Sequence, residues 1–161
     1  MVMRRHPSFY QAISLFTSHA PAWAALALVL ILDRATKMLV LATMQPGQSI
    51  PVIANVFHLT FLRNTGIAFS FFQDANAAFI AISSAIIVMI GFFLSQVKKE
   101  ERLLNICLGA LLGGALGNLI DRVLYGSVID FLDFRVWPVF NAADSAITIS
   151  AICLVVLLWK K

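Results

Sequence analysis

Two acidic residues, Asp130 and Asp144, have apolar neighbours although a charge is costly in such surroundings. Asp130 lies in the otherwise apolar run "VIDFLDF", and Asp144 follows two alanines at the start of an apolar stretch. Neither has a Lys or Arg at helical spacing, and Arg135 is the only base nearby. Burial raises the pKa of a carboxyl group, and two close carboxyls push each other's pKa apart. Two acids that share one proton can activate water and protonate a leaving amine.

This pattern favours an aspartyl hydrolase, but the residues alone leave two other classes open. A proton-coupled transporter would distribute its acids across the depth of the membrane. A metal-dependent lipid transferase would need acids on one helical face around Mg²⁺. The histidines (His6, His19 and His58) are isolated from Cys and acidic residues, so they do not indicate a zinc site.

The composition predicts an integral membrane protein. The 161 residues are 60% hydrophobic and 12% charged, whereas soluble domains carry about 25% charged residues. This length predicts one membrane domain over 1–161. Cys107 and Cys153 both fall in apolar runs, so we expect small buried hydrophobes and no disulfide framework. The net charge of +4 does not indicate nucleic-acid binding, because most of the basic residues lie at the ends of the hydrophobic segments.

Four windows are long and apolar enough to span a bilayer, at about 22–44, 75–96, 103–125 and 141–159. The predicted fold is therefore an all-α integral membrane protein with four transmembrane helices. The connection 45–74 is rich in β-branched and aromatic residues with turn signals at its ends, and we expect a small β element there. The segment 67–72, "IAFSFF", is apolar and is expected to dip into the interface. We expect an interfacial helix within 1–20.

The basic residues outside these windows predict the orientation. Seven of them lie at the two termini and in the 97–102 loop, against Arg63 and Arg135 in the other two connections. The positive-inside rule places both termini in the cytoplasm. The 45–74 and 126–140 connections then face the periplasm, and the polar ends of the third and fourth windows cluster on that side.

Several polar residues inside the windows need partners, because an ionisable group in a spanning helix is expensive. Asp33 and Lys37 are four residues apart and can pair on one helical face. Asp121 adjoins Arg122, and we expect a second fixed pair there. Gly109, Gly113 and Gly117 form a small-residue stripe that lets helices approach closely. Such packing would bring Asn118 and Asp121 near another helix.

Four motifs carry a resemblance to a known family: "DRATK", "FLRNTGIAFS", "GGALGNLIDRVLYGSVIDFLDF" and "FNAADSAI". The sequence resembles the bacterial lipoprotein signal peptidases (signal peptidase II), the aspartyl peptidases of the inner membrane, over about 28–158. The resemblance implies that Asp130 and Asp144 are the catalytic pair and that Asp133 is a neighbour without that role. It also implies residues that shape the site or contact the substrate, namely Asp33, Lys37, Asn64, Asn118, Asp121, Arg122 and Asn141.

The resemblance further implies the reaction and its partners. The family removes the signal peptide of a prolipoprotein just before a cysteine that already bears a diacylglyceryl thioether. It uses no metal and no cofactor, and globomycin-type compounds inhibit it. The expected partners are prolipoproteins and membrane lipid, with no nucleic acid. The stretch "FLDFRVWPVFNAA" between the two catalytic acids is shorter than the family pattern, so the shape of that loop is not predicted.

Overall fold

The computed structural model describes residues 19–66 and 75–159. Within these ranges the helices and strands follow the order α1 (Ala20–Thr43), β1 (Ser49–Ile53), β2 (Phe57–Asn64), α2 (Ala75–Gln96), α3 (Arg102–Tyr125), β3 (Val128–Asp133) and α4 (Ala142–Trp159). The helices coincide with the four predicted windows to within a few residues. The interfacial segments expected at 67–72 and within 1–20 lie outside the described residues, apart from His19 and Ala20.

Three of the described helices are long and apolar enough to cross a membrane, namely Asn76–Gln96, Arg102–Tyr125 and Ala142–Trp159. Their outer faces expose large apolar side chains such as Val88 and Val155. Helix α1 has 24 residues, but it carries three charged residues in its second half. The mostly helical fold with apolar outer faces is that of a membrane protein.

Helix α3 packs against each of the other three helices, and its glycines allow a close approach. A Cβ atom on Gly109 would lie 2.0 Å from the carbonyl oxygen of Ala22 in α1. One on Gly117 would lie 2.5 Å from a carboxylate oxygen of Asp33. The predicted packing role of the stripe is thus confirmed, and it brings the polar ends of α1 and α3 together.

A three-stranded antiparallel sheet in the order β1-β2-β3 covers one end of the helices, here called the sheet end. The sequence predicted strands only within 45–74, so the assignment of 126–140 to a plain connection was wrong. The run "VIDFLD" pairs with β2, with Asp130 opposite Leu62. Ile129 and Phe131 pack beside Phe61 under the end of α1. The strand was not recognised from the sequence, because its two acids interrupt the apolar alternation that is typical of strands.

Candidate active site

A cluster of buried charges joins α1 to α3 at the sheet end. Asp33 and Lys37 form the predicted pair, with 3.0 Å between Nζ and Oδ2. The Lys37 ammonium also lies 2.8 Å from Oδ2 of Asp121. The guanidinium of Arg34 binds Asp33 at 3.2 Å and Asp121 as well. The two negative and two positive charges therefore balance. A buried charge needs such a partner.

The same carboxylates hold the backbone of two neighbouring elements. Asp33 accepts a hydrogen bond from the backbone N–H of Ala143, at 3.1 Å, in the first turn of α4. Asp121 accepts one from the backbone N–H of Ile129, also at 3.1 Å, directly before Asp130. The charge cluster thus fixes the start of α4 and the start of β3, which carry the two candidate acids.

The predicted pairing of Asp121 with Arg122 is wrong. Adjacent residues of a helix point about 100° apart, so Asp121 faces α1 while Arg122 faces α2. The guanidinium carbon of Arg122 lies 4.3 Å from the ring centroid of Phe79, a cation–π contact. Nη1 of Arg122 is buried and has no hydrogen-bond partner among the residues that the structure describes. This donor remains available to a ligand carbonyl.

Asp130 is 2% exposed and is held by two side-chain amides. Nδ2 of Asn141 donates to Oδ1 at 2.7 Å, and Nδ2 of Asn64 donates to Oδ2 at 2.9 Å. Burial raises the pKa of Asp130 to about 6. The hydrogen bond from Asn64 lowers this pKa, and the nearby charge of Asp144 raises it. Asp130 therefore carries the raised pKa that was predicted from its apolar neighbours.

Asp144 is held by the cap of its own helix and by α3. The side-chain oxygen of Asn141 accepts a hydrogen bond from the backbone N–H of Asp144 at 2.9 Å. Oδ2 of Asp144 accepts in return from the backbone N–H of Asn141 at 3.3 Å, which makes a reciprocal cap. Oδ1 of Asp144 accepts from Nδ2 of Asn118 at 2.7 Å. Asn141 thus caps α4 with its oxygen and holds Asp130 with its nitrogen.

Asn118 connects the charge cluster to the candidate acids. Its side-chain oxygen accepts hydrogen bonds from Nζ of Lys37 at 2.9 Å and from Nδ2 of Asn141 at 3.2 Å. These two donors orient the amide so that its nitrogen points to Asp144. The side-chain amides of Asn64, Asn118 and Asn141 thus all donate hydrogen bonds to the two candidate acids.

Asp130 and Asp144 line one cavity of about 360 Å³. The polar residues of its wall include Asn64, Asn118 and Arg122, and the remainder is largely apolar. Among the described residues, no group of three or more His, Cys, Asp or Glu side chains could hold a metal ion. The cavity therefore offers two carboxylates and amide donors beside an apolar wall, which suits acid–base chemistry on an amide.

Two residues of this region were not assigned to the site from the sequence. Arg34 completes the charge balance, and its place in "DRATK" was the available signal. Phe79 supports Arg122, but it lies in a helix with several similar phenylalanines, so no sequence signal distinguishes it.

Comparison with known proteins decides between the three classes of function. Residues 25–160 match the family model described as signal peptidase (SPase) II. The chain belongs to the signal peptidase II family. It is similar to the lipoprotein signal peptidase of Halothermothrix orenii, with 43% identity over 83% of this chain and 92% of the relative. It is also similar to that of Brevibacillus brevis, with 46% identity over 76% of this chain and 84% of the relative.

Two solved structures have the same fold. A bacterial membrane enzyme determined by the in meso method at 1.9 Å has a TM-score of 0.79 and 30% identity, and the match covers 99% of each chain. Another at 2.3 Å has a TM-score of 0.78 and 33% identity, with 86% and 87% covered. As a member of the signal peptidase II family, the chain is an aspartic protease that removes lipoprotein signal peptides. A transporter or a lipid transferase is not supported.

The remaining acid of "VIDFLDF" has a different environment. Asp133 accepts hydrogen bonds from the Thr60 hydroxyl at 2.7 Å and from the backbone N–H of Arg135 at 2.9 Å. Its carboxylate also pairs with the Arg135 guanidinium at 3.0 Å. The hydrogen bond from Thr60 is the main cause that holds the pKa of Asp133 below its usual value. Asp133 does not line the cavity.

We therefore expect Asp133→Asn to retain most of the peptidase activity. The substitution removes an ion pair and leaves Asp130 and Asp144 in place, so only stability should fall. The initial rate of prolipoprotein cleavage in detergent, compared with wild type at equal enzyme concentration, measures this. Complete loss of cleavage in a variant that expresses and folds normally would contradict the assignment within this run.

Proposed function

We propose that the chain is an intramembrane aspartyl endopeptidase that cleaves diacylglyceryl-modified prolipoproteins just before the lipidated cysteine. Asp130 and Asp144 together activate the attacking water. The observation that carries this proposal is the pair of carboxylates on one cavity wall. In the described residues all four of their oxygens accept hydrogen bonds from amide N–H groups, and none forms an ion pair.

The amide environment suits a pair that shares one proton. A cation bound directly to either acid would keep that acid ionised, whereas amide donors leave both protonation states accessible. The N-terminus of α4 stabilises negative charge on Asp144, so we assign Asp144 as the base. The burial that raises the pKa of Asp130 to about 6 favours Asp130 as the acid.

Each step of the proposed reaction then has a proton donor and an acceptor. Asp144 takes a proton from water while the oxygen attacks the carbonyl carbon before the cysteine, and Asp130 protonates the carbonyl oxygen. The proton on Asp144 passes to the cysteine nitrogen as the carbon–nitrogen bond breaks. Asp130 recovers its proton from the hydroxyl group, which leaves a carboxylic acid and an amine.

The other predicted site residues hold this pair in place or face the substrate. Asn64, Asn118 and Asn141 hold the acids, while Asp33, Lys37 and Asp121 hold the elements that carry them. Arg122 is proposed to donate to a substrate carbonyl, because its buried Nη1 has no partner within 19–66 and 75–159. Globomycin-type compounds are expected to inhibit by occupying the same cavity.

The proposed topology has four spans, with both termini cytoplasmic and 1–161 as one membrane domain. Helix α1 has 24 residues and is about 36 Å long, enough for a hydrocarbon core of about 30 Å. Its charges pair with one another or with Asp121, so it can span despite them. The distribution of basic residues supports a periplasmic sheet end. The site then lies near the periplasmic face of the bacterial inner membrane.

The lipid requirement can be tested with the purified peptidase in detergent. The substrates are a prolipoprotein that carries a diacylglyceryl cysteine and the same protein without the lipid. We expect cleavage of the lipidated form alone, with the cysteine as the new N-terminal residue in the mass spectrum. Equal cleavage of the two forms, or a different new N-terminus, would contradict the proposed specificity. Insensitivity to EDTA is the matching expectation for metal-free catalysis.

A further inference from the structure

A second, more apolar groove begins on the other side of Asp144. This loop groove lies between the loop 134–140 and the first turns of α4, and its volume is about 630 Å³. Phe134, Trp137 and Phe140 contribute from the loop, and Thr148 and Ile149 contribute from the helix. Of the residues that the structure describes, Asp144 alone lines both this groove and the cavity described above. Two separate spaces therefore meet at one candidate acid.

The aromatic wall of the loop groove is fixed by stacking and by backbone hydrogen bonds. The Phe134 ring stacks on Phe140 with 5.9 Å between centroids and lies 4.9 Å from the ring of Phe57. Phe140 also exchanges backbone hydrogen bonds with Leu132 of β3, at 2.8 and 3.1 Å. The wall is thus an extension of the sheet, and a ligand would meet a preformed surface.

The two spaces differ in what they offer a ligand. The active-site cavity has Arg122 with a buried unpartnered donor, and Asn118 beside it. A peptide backbone needs such partners, since an unpaired buried amide is costly. The loop groove has few polar groups, and the Ser145 hydroxyl already donates to the backbone carbonyl of Asn141. Its surface suits a chain that makes no hydrogen bonds.

We propose that the loop groove binds an acyl chain of the diacylglyceryl cysteine, an inference that rests on the proposed function. The lipid is attached to the residue directly after the scissile bond, so its chains must leave the site beside the acids. The loop groove starts there, at Asp144. Trp137 and Val136 are 69% and 91% exposed at its rim, as suits a lip at the membrane interface. The peptide occupies the cavity with Arg122, and the chain occupies the groove.

Filling the groove should separate chain recognition from catalysis. Thr148→Trp places a large side chain in the groove, and Val155→Trp, at an exposed position farther along the same helix, is the matched control. The substrates are two lipopeptides with S-linked diacylglycerol, one with hexadecanoyl chains and one with acetyl chains. For Thr148→Trp we expect KM to rise about tenfold with the long chains, as for lost burial of about two methylene groups. KM should be unchanged with acetyl chains, and kcat should stay near wild type with both.

Crosslinking gives a second measurement that does not depend on the Trp variant. A hexadecanoyl substrate with a diazirine in its acyl chain is photolysed on Asp130→Asn, and the labelled peptides are sequenced by mass spectrometry. Label on Trp137 or Ile149 supports the groove, and label confined to Met89 and Leu111 of the other cavity overturns it. An equal rise of KM with both lipopeptides, or no change with either, also overturns it. If wild type cleaves neither lipopeptide, the proposed function itself fails, which distinguishes the two failures.

Discussion

Asp130→Asn is expected to reduce the cleavage rate by about 10³-fold or more, with Asp144→Asn giving a similar loss. Proton transfer by a positioned acid or base contributes about 10²–10⁴-fold. The two acids are proposed to act as one unit, so the losses should not add. Asn cannot supply or remove the proton, although it keeps the size of the side chain. Cleavage of a lipidated prolipoprotein in detergent measures the effect. Near-normal turnover in either variant would remove that acid from the proposed pair.

The same Asp130→Asn variant should melt at a higher temperature than wild type at pH 8. The folded-state pKa of about 6 lies above the ordinary value of 3.8. The stability from Asp130 is therefore complete below pH 3.8 and is lost as the pH rises through 6. This shift of the pKa lowers the stability of the folded protein by about 3 kcal/mol when Asp130 is ionised. The amide side chain of the variant has one accepting oxygen, so it accepts a hydrogen bond from only one of Asn64 and Asn141. The lost hydrogen bond costs about 1 kcal/mol.

The free energy of unfolding of Asp130→Asn at pH 8 thus exceeds that of wild type by about 2 kcal/mol, which is roughly 4–8 °C in Tm. This difference should vanish near pH 4. Asp133→Asn is the matched control from the same strand. The pKa of Asp133 is lowered in the folded protein. The stability that the Asp133 carboxylate contributes is therefore present above the ordinary pKa and is lost as the pH falls through the lowered value. Asp133→Asn should therefore melt below wild type at pH 8. Equal Tm shifts of the same sign would contradict the assigned environments.

Lys37→Met is expected to destabilise the protein by about 3–5 kcal/mol, the cost of breaking a buried ion pair. Lys37 is 1% exposed, and both Asp33 and Asp121 are fully buried. Its removal leaves two carboxylates beside the single cation of Arg34. The orientation of the Asn118 amide is also weakened, because Nζ of Lys37 no longer holds its oxygen. The midpoint of denaturant or thermal unfolding in one detergent measures the loss.

Two variants separate charge balance from simple loss of packing. Lys99→Met removes an exposed lysine and should change stability by less than about 0.5 kcal/mol. Adding Asp121→Asn to Lys37→Met restores a balance of one acid and one cation. The double variant should therefore be more stable than Lys37→Met alone. A double variant that is less stable would show that Asp121 matters mainly through its bond to Ile129.

The helices and the polar pairs within one helix could be predicted from the sequence. Hydropathy identifies helices independently of their neighbours, and the four-residue spacing of Asp33 and Lys37 determines a shared face. The acids could be selected because Asp130 and Asp144 lack local cations. The family motifs then separated Asp130 from Asp133, which neither composition nor spacing could do.

Features that depend on contacts distant in sequence could not be predicted. Strand β3 is recognised only when β2 is beside it, since its acids break the apolar alternation. The partner of Asp121 is on another helix, so sequence adjacency to Arg122 was misleading. The loop groove arises from the stacking of Phe134 on Phe140 and from its tilted contact with Phe57. The spacing of these residues carries no periodic signal.

Asn141 makes the assembly of the candidate site depend on the folding of α4. During translation, Asp130 leaves the ribosome before Asn141 and Asp144. Until α4 forms its first turn, the reciprocal cap does not exist and Asp130 lacks one of its two amide donors. Under the proposed function, catalysis therefore requires the folded start of α4 as well as both acids.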